Sequence, residues 1–173
     1  GTQNVTITDD NIEAAANYAE GGVLSFNAII TDLAGNATTG TASGTTLTVD
    51  QSTPAAFTTG AVVTTGGTVV ANYLNSTNTN VQVTVPIAND ATLTGGTIQL
   101  QMKVGANAYA NIGSAATIAV GNLGGTQNVT ITDDNIEAAA NYAEGGVLTF
   151  NAIITDLAGN ATTGTVSSTT LTV

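Results

Sequence analysis

The chain has 173 residues, twelve carboxylates against a single basic residue (Lys103), and a net charge of −11. Phosphate backbones need Lys and Arg for charge neutralisation, so nucleic-acid binding is excluded, and an anionic membrane surface is disfavoured for the same reason. With neither Cys nor His, the chain has no disulfide, no zinc–thiolate site and none of the usual nucleophile–base pairs.

The chain opens on Gly1-Thr-Gln-Asn-Val-Thr-Ile-Thr-Asp-Asp, which returns as Gly125 through Asp134. Across the 49 aligned positions of 1–49 and 125–173 only three differ: Ser25/Thr149, Ala42/Val166 and Gly44/Ser168. Self-similarity at an offset of 124 residues marks a tandem array, in which each unit contacts mainly its neighbours. Asp50-Gln-Ser-Thr-Pro54 reads as the joint, because Pro stops a strand and stiffens a short connection. Residues 50–173 are then one complete unit, and 1–49 are the C-terminal part of a preceding one. That part lacks the early strands of its own unit. Alone it exposes a core face and an unpaired edge, so a following unit, a neighbouring chain or a continuous fibre is expected to cover it.

Within the complete unit a period of two dominates. Residues 57–65 and 68–73 are the first strand candidates. Over 80–87, Val81, Val83, Val85 and Ile87 share one face; over 97–104, Ile98, Leu100, Met102 and Val104 point inward and Gln99, Gln101 and Lys103 outward. Residues 109–120 are expected to hold one or two strands, and 128–132, 146–154 and 169–173 one each. Gly-Gly pairs at 66–67, 95–96, 124–125 and 145–146 punctuate these runs as turns. Asp134 and Glu137 have the spacing of an N-cap and third-position carboxylate, predicting a short helix that ends by Gly145; Asp10 and Glu13 repeat it. The expected fold is all-β: antiparallel β-sandwich repeats in tandem, with a short helix or helical turn before the penultimate strand. A period of 124 is too long for a solenoid and predicts beads, each with its own core.

The stretch Phe-Asn-Ala-Ile-Ile-Thr-Asp-Leu-Ala-Gly-Asn-Ala-Thr-Thr-Gly from Phe150, followed by Thr-Thr-Leu-Thr-Val173, has a strand–Thr-Asp-x-Ala-Gly-Asn–strand signature. With Val-Asp-x-x-x-Pro at 49–54, it resembles the immunoglobulin-like repeats of large bacterial surface adhesins. The resemblance covers the final third of the repeat well and the rest loosely. It implies an immunoglobulin-like sandwich, secreted and strung into a stalk, in a family some of whose members bind calcium within or between domains. The turn Asp156-Leu-Ala-Gly-Asn160 also reads as a hairpin device, with Asp capping it and Gly159 and Asn160 tolerating positive φ.

Calcium is the chemistry this chain suits best, because hard cations take carboxylate, amide and carbonyl oxygens. The candidate ligands are Asp133, Asp134 and Glu137, their twins Asp9, Asp10 and Glu13, and Asp50, Asp90 and Asp156 at a domain joint. None has calcium-loop spacing. The alternative is structural: the same residues are helix caps, first-turn acids and turn formers. Catalysis is left with adjacent Asp133/Asp134 or with Lys103, which reads as a solvated charge on an outward strand face, so no enzyme is expected. The Thr-, Asn-, Gly- and Ala-rich composition suits an extracellular bacterial protein. The favoured role is an extender that projects an adhesive region from the cell, with neighbouring repeats as partners. The alternative is a self-assembling filament of the same units.

Overall fold

A computed structural model describes residues 1–16 and 18–173. The chain divides into two compact units, Gly1–Ser52 and Thr53–Val173. Both are built from antiparallel β-sheet with short helices.

In the larger unit the alternating runs become the two central strands. The strands of the molecule, in chain order, are β1 (Val23–Leu24), β2 (Ile29–Thr31), β3 (Ala37–Thr39), β4 (Leu47–Thr48), β5 (Val62–Thr65), β6 (Asn80–Pro86), β7 (Thr97–Val104), β8 (Ala110–Asn111), β9 (Ala116–Thr117), β10 (Thr126–Thr132), β11 (Val147–Thr155), β12 (Ala161–Thr163) and β13 (Leu171–Thr172). One sheet has the order β10-β6-β5, with Val129 opposite Val83 and Val62 also opposite Val83. The second sheet centres on β11, which lies antiparallel to β7 over eight residue pairs from Leu148↔Val104 to Thr155↔Thr97. β8 and β9 pair with the far edge of β7, and β12 and β13 with the far edge of β11.

Burial follows the period-two pattern. Val81, Val83 and Val85 from β6, Ile98, Leu100 and Met102 from β7, Val129 and Ile131 from β10, and Leu148, Phe150 and Ile154 from β11 belong to one hydrophobic cluster. Each such side chain withdrawn from water contributes about 1.5–3 kcal/mol. One core therefore joins both sheets of this unit.

The final strand is interrupted. Gly164 N–H donates to Ala152 O (2.8 Å) and Ser167 N–H to Phe150 O (2.9 Å), so the chain stays on β11 between β12 and β13. Its outer edge is covered by two segments running parallel to it, through Thr58↔Thr165 and Tyr73↔Thr172. The first of these then changes sheets. Ser167 Oγ donates to Gly60 O (2.6 Å), Gly60 N–H donates to Thr84 O (2.8 Å), and β5 continues along β6. Gly164 has to be glycine, since a Cβ there would run into the Phe57 ring.

The expected strand over 68–73 does not form as such. Gly66, Gly67 and Asn72 take positive φ, and side-chain amides compete for the backbone. Asn78, buried, accepts from Asn75 N–H (2.9 Å) and donates to Gly66 O (2.9 Å) and Thr68 O (3.2 Å). Asn78→Ala is expected to cost about 2–3 kcal/mol, because it removes three hydrogen bonds from a buried amide to the loop backbone; chemical denaturation of the wild type and the variant measures it.

The smaller unit holds α1 (Asp9–Glu13) and two small ladders, β1 with β4 and β2 with β3. Its only buried apolar side chain among the described residues is Val49.

Candidate functional site

The acidic residues singled out in the sequence lie in turns, in the two short helices and in the segment before Pro54. At the turn between β11 and β12, Asp156 is 4% exposed. Its Oδ1 accepts from Gly159 N–H (2.8 Å) and Asn160 N–H (2.9 Å), and its Oδ2 accepts from Asn160 Nδ2 (3.0 Å). Gly159 sits at φ 103°, a conformation that favours glycine. This is the hairpin device the sequence implied. Beside it, Asp90 caps a 3₁₀ turn, Ala91–Leu93, accepting from Thr92 N–H (2.9 Å) and Thr92 Oγ1 (2.8 Å). Leu157 N–H donates to Thr92 O (3.2 Å), so the Asp90 and Asp156 turns meet at one end of the unit.

The same turn recurs in the smaller unit. Asp32 accepts from Ala34 N–H, Asn36 N–H and Asn36 Nδ2, each at 2.9 Å, but in solvent. The Asn36 side chain, above all, holds the Asp32 carboxyl below its usual range. A depressed acid stabilises its turn above the ordinary carboxylate value of about 3.9 and loses that contribution as pH falls through the lowered value. The Ala34 and Asn36 amide resonances are therefore expected to titrate with a midpoint below about 3.9; a midpoint at or above it contradicts the capping role.

The helix α2 (Asp133–Glu137) starts two residues earlier than its Asp-x-x-Glu spacing implies. Its N-cap is Thr132, not Asp134, and that cap makes no side-chain bond to the helix backbone. The Thr132 hydroxyl accepts instead from Asn135 Nδ2 (2.8 Å). β10 runs to Thr132, and Asp133 N–H is taken by Thr79 O (3.0 Å), which puts Asp133 and Asp134 in the first helical turn. Acids there are favoured by the helix dipole. Burial, and next the charge of Asp134, push the Asp133 carboxyl above its usual range. Its charge thus costs stability as pH rises from the ordinary value to the raised one. The two acids line a shallow pocket with Asn78, Thr79 and Thr132. In the smaller unit α1 reproduces the arrangement, with Asp9 and Asp10 in the first turn and Thr8 as N-cap.

Residues 50–52, at the end of the smaller unit, bond to carboxylates of that unit. Glu20 Oε2 accepts from Gln51 N–H (2.8 Å), Glu13 Oε1 accepts from Gln51 Nε2 (3.5 Å), and Asp50 Oδ1 accepts from Ser52 N–H (3.3 Å). Glu20 and Gln51 were not among the sequence candidates. The signal that points to them is the recurrence of Glu20 as Glu144 and of Glu13 as Glu137. Among the described residues no three acidic side chains converge on one point. Lys103 Nζ lies 5.0 Å from the centroid of the Tyr109 ring, a cation–π contact. No described helix is long and apolar enough to cross a membrane.

The two ends are set by the parallel strands. Thr162 Oγ1 donates to Pro54 O (2.6 Å), placing the start of the unit beside the β11–β12 turn. Val173 N–H donates to Gly146 O (3.0 Å), placing its end at the opposite tip of β11. The eight steps from Gly146 to Ile154 measure about 26 Å at ~3.3 Å per residue. Comparison with known proteins finds no matching family model, no similar curated protein and no similar solved structure.

Proposed function

We propose that this chain is a structural extender segment of a secreted bacterial surface adhesin, built from immunoglobulin-like sandwich units in tandem, with no catalytic role. The observation that carries the reading is the separation of the two ends: the unit begins beside Thr162 and finishes beside Gly146. A module whose chain enters at one tip and leaves at the other adds its own length to an array; one with both ends together adds little. The near-identity of 1–49 and 125–173 supports repetition of the unit. The sandwich reading is supported by two antiparallel sheets sharing one core, and by a first strand that switches sheets at Gly60. The Thr-Asp-x-Ala-Gly-Asn resemblance adds the adhesin context.

Glu13 and Glu20 hold Gln51 within the smaller unit. Calcium remains the metal reading to test at the carboxylates singled out in the sequence, of which Asp133 and Asp134 line one pocket. Small-angle scattering of chains with one, two and four repeats tests the extender role, in calcium and in chelator. The maximum dimension is expected to grow linearly with repeat number; a compact particle whose size rises as the cube root of mass overturns the reading. A shorter particle in chelator assigns calcium to the array, and equal lengths leave the carboxylates as caps and clamps.

The filament reading is favoured by one observation, the exposed apolar face of the smaller unit. It predicts lateral association that rises with protein concentration, and sedimentation over a hundredfold concentration range decides it.

A further inference from the structure

The same sequence is core in one unit and surface in the other. Val129, Ile131, Ile154 and Leu171 are 4%, 2%, 2% and 1% exposed, whereas their counterparts Val5, Ile7, Ile30 and Leu47 are 80%, 49%, 75% and 53% exposed. In the larger unit the cover comes from residues 53–124: β6 pairs β10 and β7 pairs β11, and their valines, isoleucines and leucines complete the core. The three positions at which the copies differ lie off that face. Thr149 stands opposite Lys103 on the outward side of the sheet, Val166 is 45% exposed and Ser168 is exposed. The two copies therefore present the same apolar surface, with the same spacing, to whatever covers it.

We infer that residues 1–49 are a docking surface whose occupant is a second copy of segment 53–124, aligned as β6 and β7 are aligned on β10 and β11. The inference rests on the repeat reading above and names the partner of that unit. The segment of the same chain cannot serve. It is already paired with 125–173, and reach forbids the exchange. The start and the end of the unit lie about 26 Å apart, whereas the five steps from Val49 to Pro54 span at most about 18 Å. The smaller unit could take the downstream segment only by peeling Pro54–Thr59 off the last strand. A second copy of the segment has no such tether.

The test places a copy of residues 53–124 directly ahead of Gly1 in the full chain, which recreates the 124–125 junction. Hydrogen exchange is then read at 2–8 and 23–31. Their amides are expected to slow by at least about 10³-fold, to the level of 126–132 and 147–155, as befits entry into a globally stable unit. Unchanged exchange at these amides overturns the inference. Ile30→Asp in the extended chain is expected to abolish the new protection while leaving 126–155 protected; protection that survives the charge shows that another surface is being covered and also overturns it. A third outcome counts against it equally: protection of 23–31 that appears in the unextended chain with rising concentration, since the occupant is then the same face of another molecule. Failure here is separable from failure of the extender role, because scattering reads length and exchange reads cover.

Discussion

Phe150→Ala is expected to destabilise the Thr53–Val173 unit by about 3–5 kcal/mol, whereas Phe26→Ala leaves the same unfolding transition where it was. The two phenylalanines occupy equivalent positions in near-identical sequences. Phe150 is 0% exposed at the centre of β11 and packs among the side chains of both sheets. Truncating it removes a large apolar group and leaves a cavity that close-packed neighbours fill only in part. In a unit of this size that loss lowers the melting temperature by on the order of 10–20 °C. Phe26 is only half-buried and belongs to the other unit. Calorimetry on the two variants reads both effects, and equal shifts would contradict the assignment of Phe150 alone to this core.

The second large effect belongs to Asp156. Replacing it with Ala removes the acceptor of two backbone N–H groups and of the Asn160 amide in a place water reaches poorly. Hydrogen bonds to a charged group contribute about 1.5–3 kcal/mol each and do not add in full when one acceptor serves several donors, so a loss of about 2–3 kcal/mol is expected. Asp156→Asn keeps the bonding oxygen at Oδ1 and is expected to lose about 1 kcal/mol. Asp32→Ala, the twin substitution in an exposed turn, is expected to leave the larger unit's stability unchanged. Denaturant titration of the three variants orders them; an Asp32→Ala effect on the larger unit's transition as large as that of Asp156→Ala would contradict the assignment of the two turns to separate units.

What the sequence makes legible is local. The alternation of Val81 to Ile87 and of Ile98 to Val104 places both central strands and their inward faces correctly, because a side-chain period of two is a property of each strand by itself. The hairpin at Asp156–Asn160 is legible for the same reason: its bonds span four residues. What is not legible is partnership. The segment that forms the nine-residue β11 in one unit forms only the two-residue β1 and the three-residue β2 in the other, with hardly a change of sequence. Strand length there is decided by whether β7 lies alongside, which no local pattern encodes. The helix starts two residues earlier than its Asp-x-x-Glu spacing implies in both copies, with Thr132 and Thr8 as N-caps in place of Asp134 and Asp10. The Glu20–Gln51 clamp joins residues 31 apart, and Asn78 holds a loop by bonds to Gly66 and Thr68 that no spacing rule announces. Conversely, the strand expected over 68–73 yields to the positive φ of Gly66, Gly67 and Asn72.

The account stands on the parallel placement of the first and last strands, and one distance tests it. The chain has no native cysteine, so spin labels at Ala55→Cys and Thr170→Cys report it without background. Both sites are exposed. The account predicts a backbone separation of more than about 20 Å for this pair, and a short one for the control pair Ala55→Cys and Thr163→Cys beside Pro54. A separation for Ala55 and Thr170 as short as that of the control would put both ends of the unit at one tip, and would contradict the extender geometry.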